Sequence, residues 1–339
     1  MLGVYARWME RWEGRLASRD KNRVVRPFEW GLDWLGIRDV NGGDPRERVR
    51  ARTAGWLADS AAFYSYQRPS DYSLRESHLT FTSPLATPYP ENNLVHADLY
   101  PARRDLGRAV VVLPQWNADE RGHSTLCRLL NRFGITALRM SLAYHDRRKP
   151  PETLRADYHL SSNIGRTIQA SRQSVIDARA CLDFLESHGY DRLGILGTSL
   201  GSCIAFIVAA HDPRIRAGAF NHVSAYFGDV VWTGLSTQHV RNGLSQAVSQ
   251  DELRDYWAVI SPASFLDRLV GRDLESLLVW ARFDTTFLPV YSRQLVEEFR
   301  ARGLRHEELK LPCGHYTVGE FPFNILDGLA LCRFLARKL

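Results

Sequence analysis

Lysine and cysteine are both scarce in this sequence, and it has no long apolar run. Only four of its 44 basic residues are lysines (Lys21, Lys149, Lys310 and Lys338), so the net charge of +6 is an arginine excess. The arginines are spread along 339 residues with no block of five or more like charges, which argues against a nucleic-acid partner. The five cysteines (Cys127, Cys181, Cys203, Cys313 and Cys332) lie far apart without a CxxC pair. That pattern predicts free thiols in a reducing, cytoplasmic setting. No window approaches the roughly 18 apolar residues of a membrane span. Arg7, Glu10, Arg11 and Glu13 also break the stretch where a signal peptide would need apolar continuity. Internal repeats, low-complexity tracts and HExxH, Walker A or GxGxxG patterns are missing as well. Metal, ATP and NAD chemistry therefore have no support, and no cofactor is expected.

What is present suits a globular protein. Hydrophobic residues make up 45% of the chain and charged residues 24%, enough for one large domain with an accessory part. Residues 1–75 read as that accessory part, a helical extension holding five of the nine tryptophans: Trp8, Trp12, Trp30, Trp34 and Trp56. Val4, Trp8, Trp12 and Leu16, four apart, form one stripe on a helix and predict docking on the main body. Such an aromatic-and-arginine face also suits a membrane interface or a second copy of the chain, and so a homo-oligomer.

From about residue 77 short β-rich runs alternate with helical ones. The strands read at 78–84, 93–101, 109–114, 135–141, 192–196, 217–223, 276–281 and 306–312. Helices fall near 121–133, 168–188, from 200, 289–302 and 321–338. This alternation predicts an α/β fold with a mostly parallel sheet covered by helices on both faces. Residues 224–262 interrupt the rhythm after a strand, as a helical, aromatic-rich lid would.

Within this series, "RLGILGTSLGSCIAF" (192–206) sets Gly197-Thr198-Ser199-Leu200-Gly201 where a buried strand meets a helix. A serine in so sharp a turn takes strained backbone geometry, and the two glycines relieve crowding around it. The turn lifts the hydroxyl above the carboxyl edge of the sheet, over the N-terminus of a helix that favours developing negative charge. Serine needs a base, and the base needs a carboxylate to orient it.

These residues resemble the α/β-hydrolase superfamily over about 77–339, nearest to its dienelactone-hydrolase and acetyl-esterase-like branches. The resemblance implies the chain order serine, acid, histidine. Asp284, just after the strand "SLLVWA", is then the acid, with Asp229 in reserve. The family usually places proline four residues beyond the acid, whereas Pro289 lies five beyond Asp284. His315, in "LKLPCGHYTVG", matches the family's Gly-His loop, ahead of His123 and His222. The resemblance puts the oxyanion donors at the Leu200 N–H and in the loop after the strand 109–114. Relatives commonly carry His-Gly there, but this chain has Pro114-Gln115-Trp116-Asn117. Trp116 is the expected donor, with Gln115 or Asn117 possible. Gln115, His145, Tyr226, Phe227, Trp232 and Phe287 are candidates to line the pocket. Arg147 and Arg148 read as a solvated loop, or as contacts to an anionic substrate group. The expected function is a serine hydrolase acting on a small-molecule carboxylic ester. The same groups would serve amide or thioester cleavage or acyl transfer, and a non-catalytic binding protein on this fold is the rival reading.

Overall fold

Among the described residues, a single sheet of nine strands brings the ends of its central strands to one rim. The computed structural model describes residues 2–38, 42–104 and 106–339. The strands are β1 (Ser73–Arg75), β2 (His78–Thr82), β3 (Leu94–Tyr100), β4 (Arg108–Leu113), β5 (Thr136–Met140), β6 (Arg192–Thr198), β7 (Ile215–Asn221), β8 (Glu275–Ala281) and β9 (His306–Leu311). Their order across the sheet is β1-β2-β3-β5-β4-β6-β7-β8-β9. The first three pairings are antiparallel, and every pairing from β5 to β9 is parallel. The helices are α1 (Leu2–Ala17), α2 (Pro45–Ala58), α3 (Ser60–Phe63), α4 (Pro90–Asn93), α5 (Ser124–Arg132), α6 (Ile164–Ser187), α7 (Leu200–His211), α8 (Phe227–Thr233), α9 (Gln238–Leu244), α10 (Gln250–Tyr256), α11 (Pro289–Ala301) and α12 (Phe323–Lys338).

Strand β4 shows why the apolar runs become central strands. Ala109, Val111 and Leu113 pack into the core shared with α6, α7 and α11, whereas Val110 and Val112 face α5 and α12. A strand buried on both faces needs a continuous apolar run, since its side chains alternate between the two layers. β1 was not legible in the sequence. It has three residues, two of them exposed, and is too short to show alternation.

Helix α1 docks on the α5–α12 face with only part of the expected stripe: Leu16 is buried and Trp12 packs half-buried against Phe323, but Val4 and Trp8 turn outward. Val4 and Trp8 are 65% and 47% exposed, while Met9 and Glu13 are fully buried and Leu16 and Ala17 nearly so. Trp8 instead leans on Tyr5 and Trp12, with ring centroids 5.6 and 5.0 Å away. The helix turns this way because Tyr5, Met9 and Glu13 all contact the segment after β9. Helices α8, α9 and α10 lie within 224–262, where buried Trp257 donates its indole N–H to the Ile164 carbonyl (3.3 Å). No described helix is long and apolar enough to cross a membrane.

The arginine pair after β5 is built into the molecule. Arg148 is fully buried, lies 2.8 Å from the Asp177 carboxylate and donates to the Asn92 and Ser141 carbonyls. Arg147 pairs with Asp98 and Glu120, each at 3.1 Å. The solvated-loop expectation fails for Arg148 because its charge is neutralised inside the fold.

Candidate active site

β6 delivers Ser199 into a backbone conformation that an L-residue rarely adopts, with φ 55° and ψ −119°. The turn is tight enough to require both glycines. A Cβ on Gly197 would lie 2.0 Å from the Gly201 carbonyl oxygen, and one on Gly201 would lie 2.2 Å from that of Leu113. Strain of this kind persists only where the surroundings over-determine it, and such residues cluster at functional sites. Here the Ser199 N–H donates to the Asn221 carbonyl (2.8 Å), and its carbonyl accepts from the Ser202 hydroxyl (2.6 Å).

Three side chains distant in sequence meet at this rim. Ser199 Oγ lies 3.2 Å from His315 Nε2, and His315 Nδ1 lies 3.1 Å from Asp284 Oδ2. The other Asp284 oxygen accepts the N–H groups of Thr286 (2.8 Å) and Phe287 (2.7 Å), which fixes the carboxylate. Because a carboxylate only accepts, His315 Nδ1 must carry the proton, leaving Nε2 free to accept from the serine hydroxyl. Phe287 stacks on the His315 ring with centroids 5.3 Å apart and planes 4° from parallel, holding the imidazole flat.

A fourth side chain, a weaker candidate in the sequence, joins these three at Asp284. His222, just past β7 at φ 55°, donates from Nδ1 to the same Asp284 Oδ2 at 2.8 Å. It is fully buried, and its Nε2 has no partner among the described residues. Burial alone would raise the Asp284 carboxyl. His315, together with the hydrogen bonds from both imidazoles, outweighs burial and holds it well below the usual carboxylate range. His315 responds in the opposite sense. Burial disfavours its charged form, but Asp284, with a smaller push from Glu13, leaves it above the ordinary histidine value. His222, Asp284 and His315 are also the one group among the described residues whose His, Cys, Asp or Glu ligand atoms come close enough for a metal ion, all within 4.8 Å. Those atoms already bond to one another, so the trio fits a proton-relay geometry as it stands.

Ser199, His315 and Phe287 open onto a cavity of about 860 Å³, together with Gln115, Trp116 and Leu200. Its apolar wall includes Leu160, Phe227, Val230 and Val231. Trp116 is held by its indole N–H to the Ala156 carbonyl (3.1 Å), and the Asn117 side chain accepts from the Ala156 N–H (2.8 Å). Its ring is flanked by His239 and by Arg155, whose guanidinium lies 5.1 Å from the ring centroid. A smaller cavity of about 460 Å³, near Leu274 at the start of β8, contains none of these groups.

Several sequence candidates lie elsewhere. His145 is buried against His159 and bonds to the Ala143 carbonyl, so it does not line the cavity. Tyr226 faces Arg254, and Trp232 faces Arg241; neither reaches the cavity, because the insert turns both rings toward its own arginines. Asp229, the reserve acid, is buried and paired with Arg254 at 2.9 Å. His123 does reach the cavity wall, where its Nε2 lies 2.8 Å from the Thr198 hydroxyl.

Strand order, the antiparallel start and the serine turn after β6 define the α/β-hydrolase fold. No family model and no curated protein matches the sequence, but solved structures share this fold. An acetyl xylan esterase from Thermoanaerobacterium superposes with a TM-score of 0.59 at 14% identity, over 91% of this chain and 99% of that one. An acetyl xylan esterase from Paenibacillus gives 0.60 at 13% identity, over 96% and 99%. The acylaminoacyl peptidase of Pyrococcus horikoshii gives 0.61 at 12% identity, over 83% of this chain but 43% of the peptidase.

Proposed function

We propose that the protein is a serine hydrolase that cleaves a small-molecule carboxylic ester through an acyl-enzyme. The observation that carries this reading is the continuous relay Ser199–His315–Asp284, at 3.2 and 3.1 Å, beneath a cavity wide enough for a substrate. In the first step Ser199 Oγ attacks the ester carbonyl carbon while His315 Nε2 takes the hydroxyl proton. Asp284 holds the imidazole in the productive tautomer and stabilises its cation. The N–H groups of Leu200 and Trp116 receive the carbonyl oxygen as it becomes anionic. Collapse of the tetrahedral intermediate expels the alcohol, which takes its proton from His315. Water, deprotonated by the same imidazole, then releases the acid.

An ester is favoured over an amide because neighbours that match over nearly their whole length include two acetyl xylan esterases, whereas the peptidase shares under half of its chain. The apolar wall of Leu160, Phe227, Val230, Val231 and Phe287 suits an uncharged acyl or alcohol group. A panel of p-nitrophenyl esters of increasing chain length, run against matching anilides, tests this. Esters should turn over faster than their anilides at every length. Anilides turning over faster would overturn the esterase reading.

A further inference from the structure

The N-terminal helix reaches the loops that carry the proposed base and acid. Along its buried side the Tyr5 hydroxyl donates to the Pro312 carbonyl, and the Thr317 hydroxyl lies 3.3 Å from Met9 Sδ. One turn beyond Met9, the Glu13 carboxylate accepts the N–H of Thr317 at 2.7 Å and that of Tyr316 at 3.1 Å to each oxygen. It also accepts the Thr285 hydroxyl at 3.3 Å. Tyr316 directly follows His315, and Thr285 directly follows Asp284. One carboxylate thus ties together the residues immediately after the proposed base and the proposed acid. Space is made for it at Gly314, where a Cβ would lie 2.3 Å from Glu13 Cδ.

Glu13 is fully buried, and no ion pair to it occurs among the described residues. Burying a carboxylate is costly unless hydrogen bonds replace its water. Apolar packing would secure a helix against a loop without that cost, so the acidic group calls for a reason beyond adhesion. We propose that Glu13 is a positioning residue of the active site, fixing the acid and base loops relative to each other. This inference rests on the Ser199–His315–Asp284 reading. It makes α1 part of the catalytic apparatus and not merely a cover on the sheet.

The charged and titratable groups around His315 are Asp284 from the β8–α11 loop, His222 after β7, Glu13 from α1 and the buried Cys313 thiol two residues before it, with Asp327 of α12 on the same cavity beside His222. Farther out, Tyr316 bonds to Arg23, which is paired with Asp20 at 3.1 Å, and Arg155 lines the same cavity. Removing the Glu13 charge therefore lowers the proton affinity of His315, and the acidic limb of the rate profile moves to lower pH.

Glu13→Gln, Glu13→Asp and Glu13→Ala are compared in the full chain by steady-state kinetics on a p-nitrophenyl ester, pH profile and thermal unfolding. Glu13→Gln should lower kcat by roughly 10- to 100-fold with little change in KM, because small displacements of reacting groups cost about that much. Its acidic limb should move down in pH. Glu13→Asp should keep the limb of the wild type while losing turnover. A folded Glu13→Gln with wild-type kcat and an unmoved limb would overturn the proposal. So would a variant that only melts earlier. If Glu13→Ala does not fold, the Gln and Asp variants decide. A wild type that takes no fluorophosphonate at Ser199 removes both readings, whereas a labelled wild type with an unchanged Glu13→Gln removes this inference alone.

Discussion

Ser199→Ala should lower ester turnover by about 10⁴-fold or more while leaving the protein folded. The size follows from the relay acting as a unit: without the hydroxyl, His315 has no proton to take and no acyl-enzyme can form. What remains is the background reaction of substrate held in the cavity. Alanine keeps the Cβ in the strained turn, and the main-chain bonds from Ser199 to Asn221 and Ser202 do not involve its side chain. Thermal unfolding should therefore stay close to wild type. Measuring kcat beside the melting temperature separates lost chemistry from lost structure.

Asp284→Asn should cost a similar amount, about 10⁴-fold, by a different route. An asparagine side chain offers one oxygen and one NH₂ where Asp284 now accepts from His222, His315 and two main-chain N–H groups. If the amide oxygen stays with Thr286 and Phe287, the NH₂ faces both imidazoles. His315 must then place its proton on Nε2, where it can no longer accept from Ser199. The pH dependence carries a second signature. Asp284 is what raises His315 above its ordinary value, so its neutral replacement should shift the acidic limb of kcat/KM to lower pH. A residual rate with an unmoved limb would mean that Asp284 does not govern the imidazole.

Much of the fold was legible because the central strands are buried on both sides. β4, β6 and β8 carry short apolar runs bounded by polar or turn residues. It is their length and flanks, more than periodicity, that read as strands, since the apolar run of α7 forms a helix. The three relay residues were legible for a related reason. Each sits at the carboxyl end of a recognisable strand, and the serine turn has its own local chemistry in Gly197 and Gly201. His222 was harder to place. Asn221-His222-Val223 reads as the tail of a strand, and nothing local shows that the chain turns there at φ 55°. Only the pairing of β7 with β8 brings it to Asp284. Glu13 was hidden more completely. An acidic residue in an amphipathic helix reads as solvent-facing, and its main-chain partners Tyr316 and Thr317 lie 303 and 304 positions away in the chain. The one hint was that Met9 and Glu13 share the four-residue spacing of the tryptophan stripe. Tyr226 and Trp232 failed as pocket residues because the path of the insert depends on pairings such as Asp229 with Arg254 that composition does not encode.

The most direct measurement is active-site labelling. The intact protein is treated with a fluorophosphonate, digested, and the modified peptide identified by mass spectrometry. A single adduct on Ser199, lost in Ser199→Ala and formed far more slowly in Asp284→Asn, is the expected result. Folded wild-type protein that takes no label, or takes it on another serine, would contradict the account.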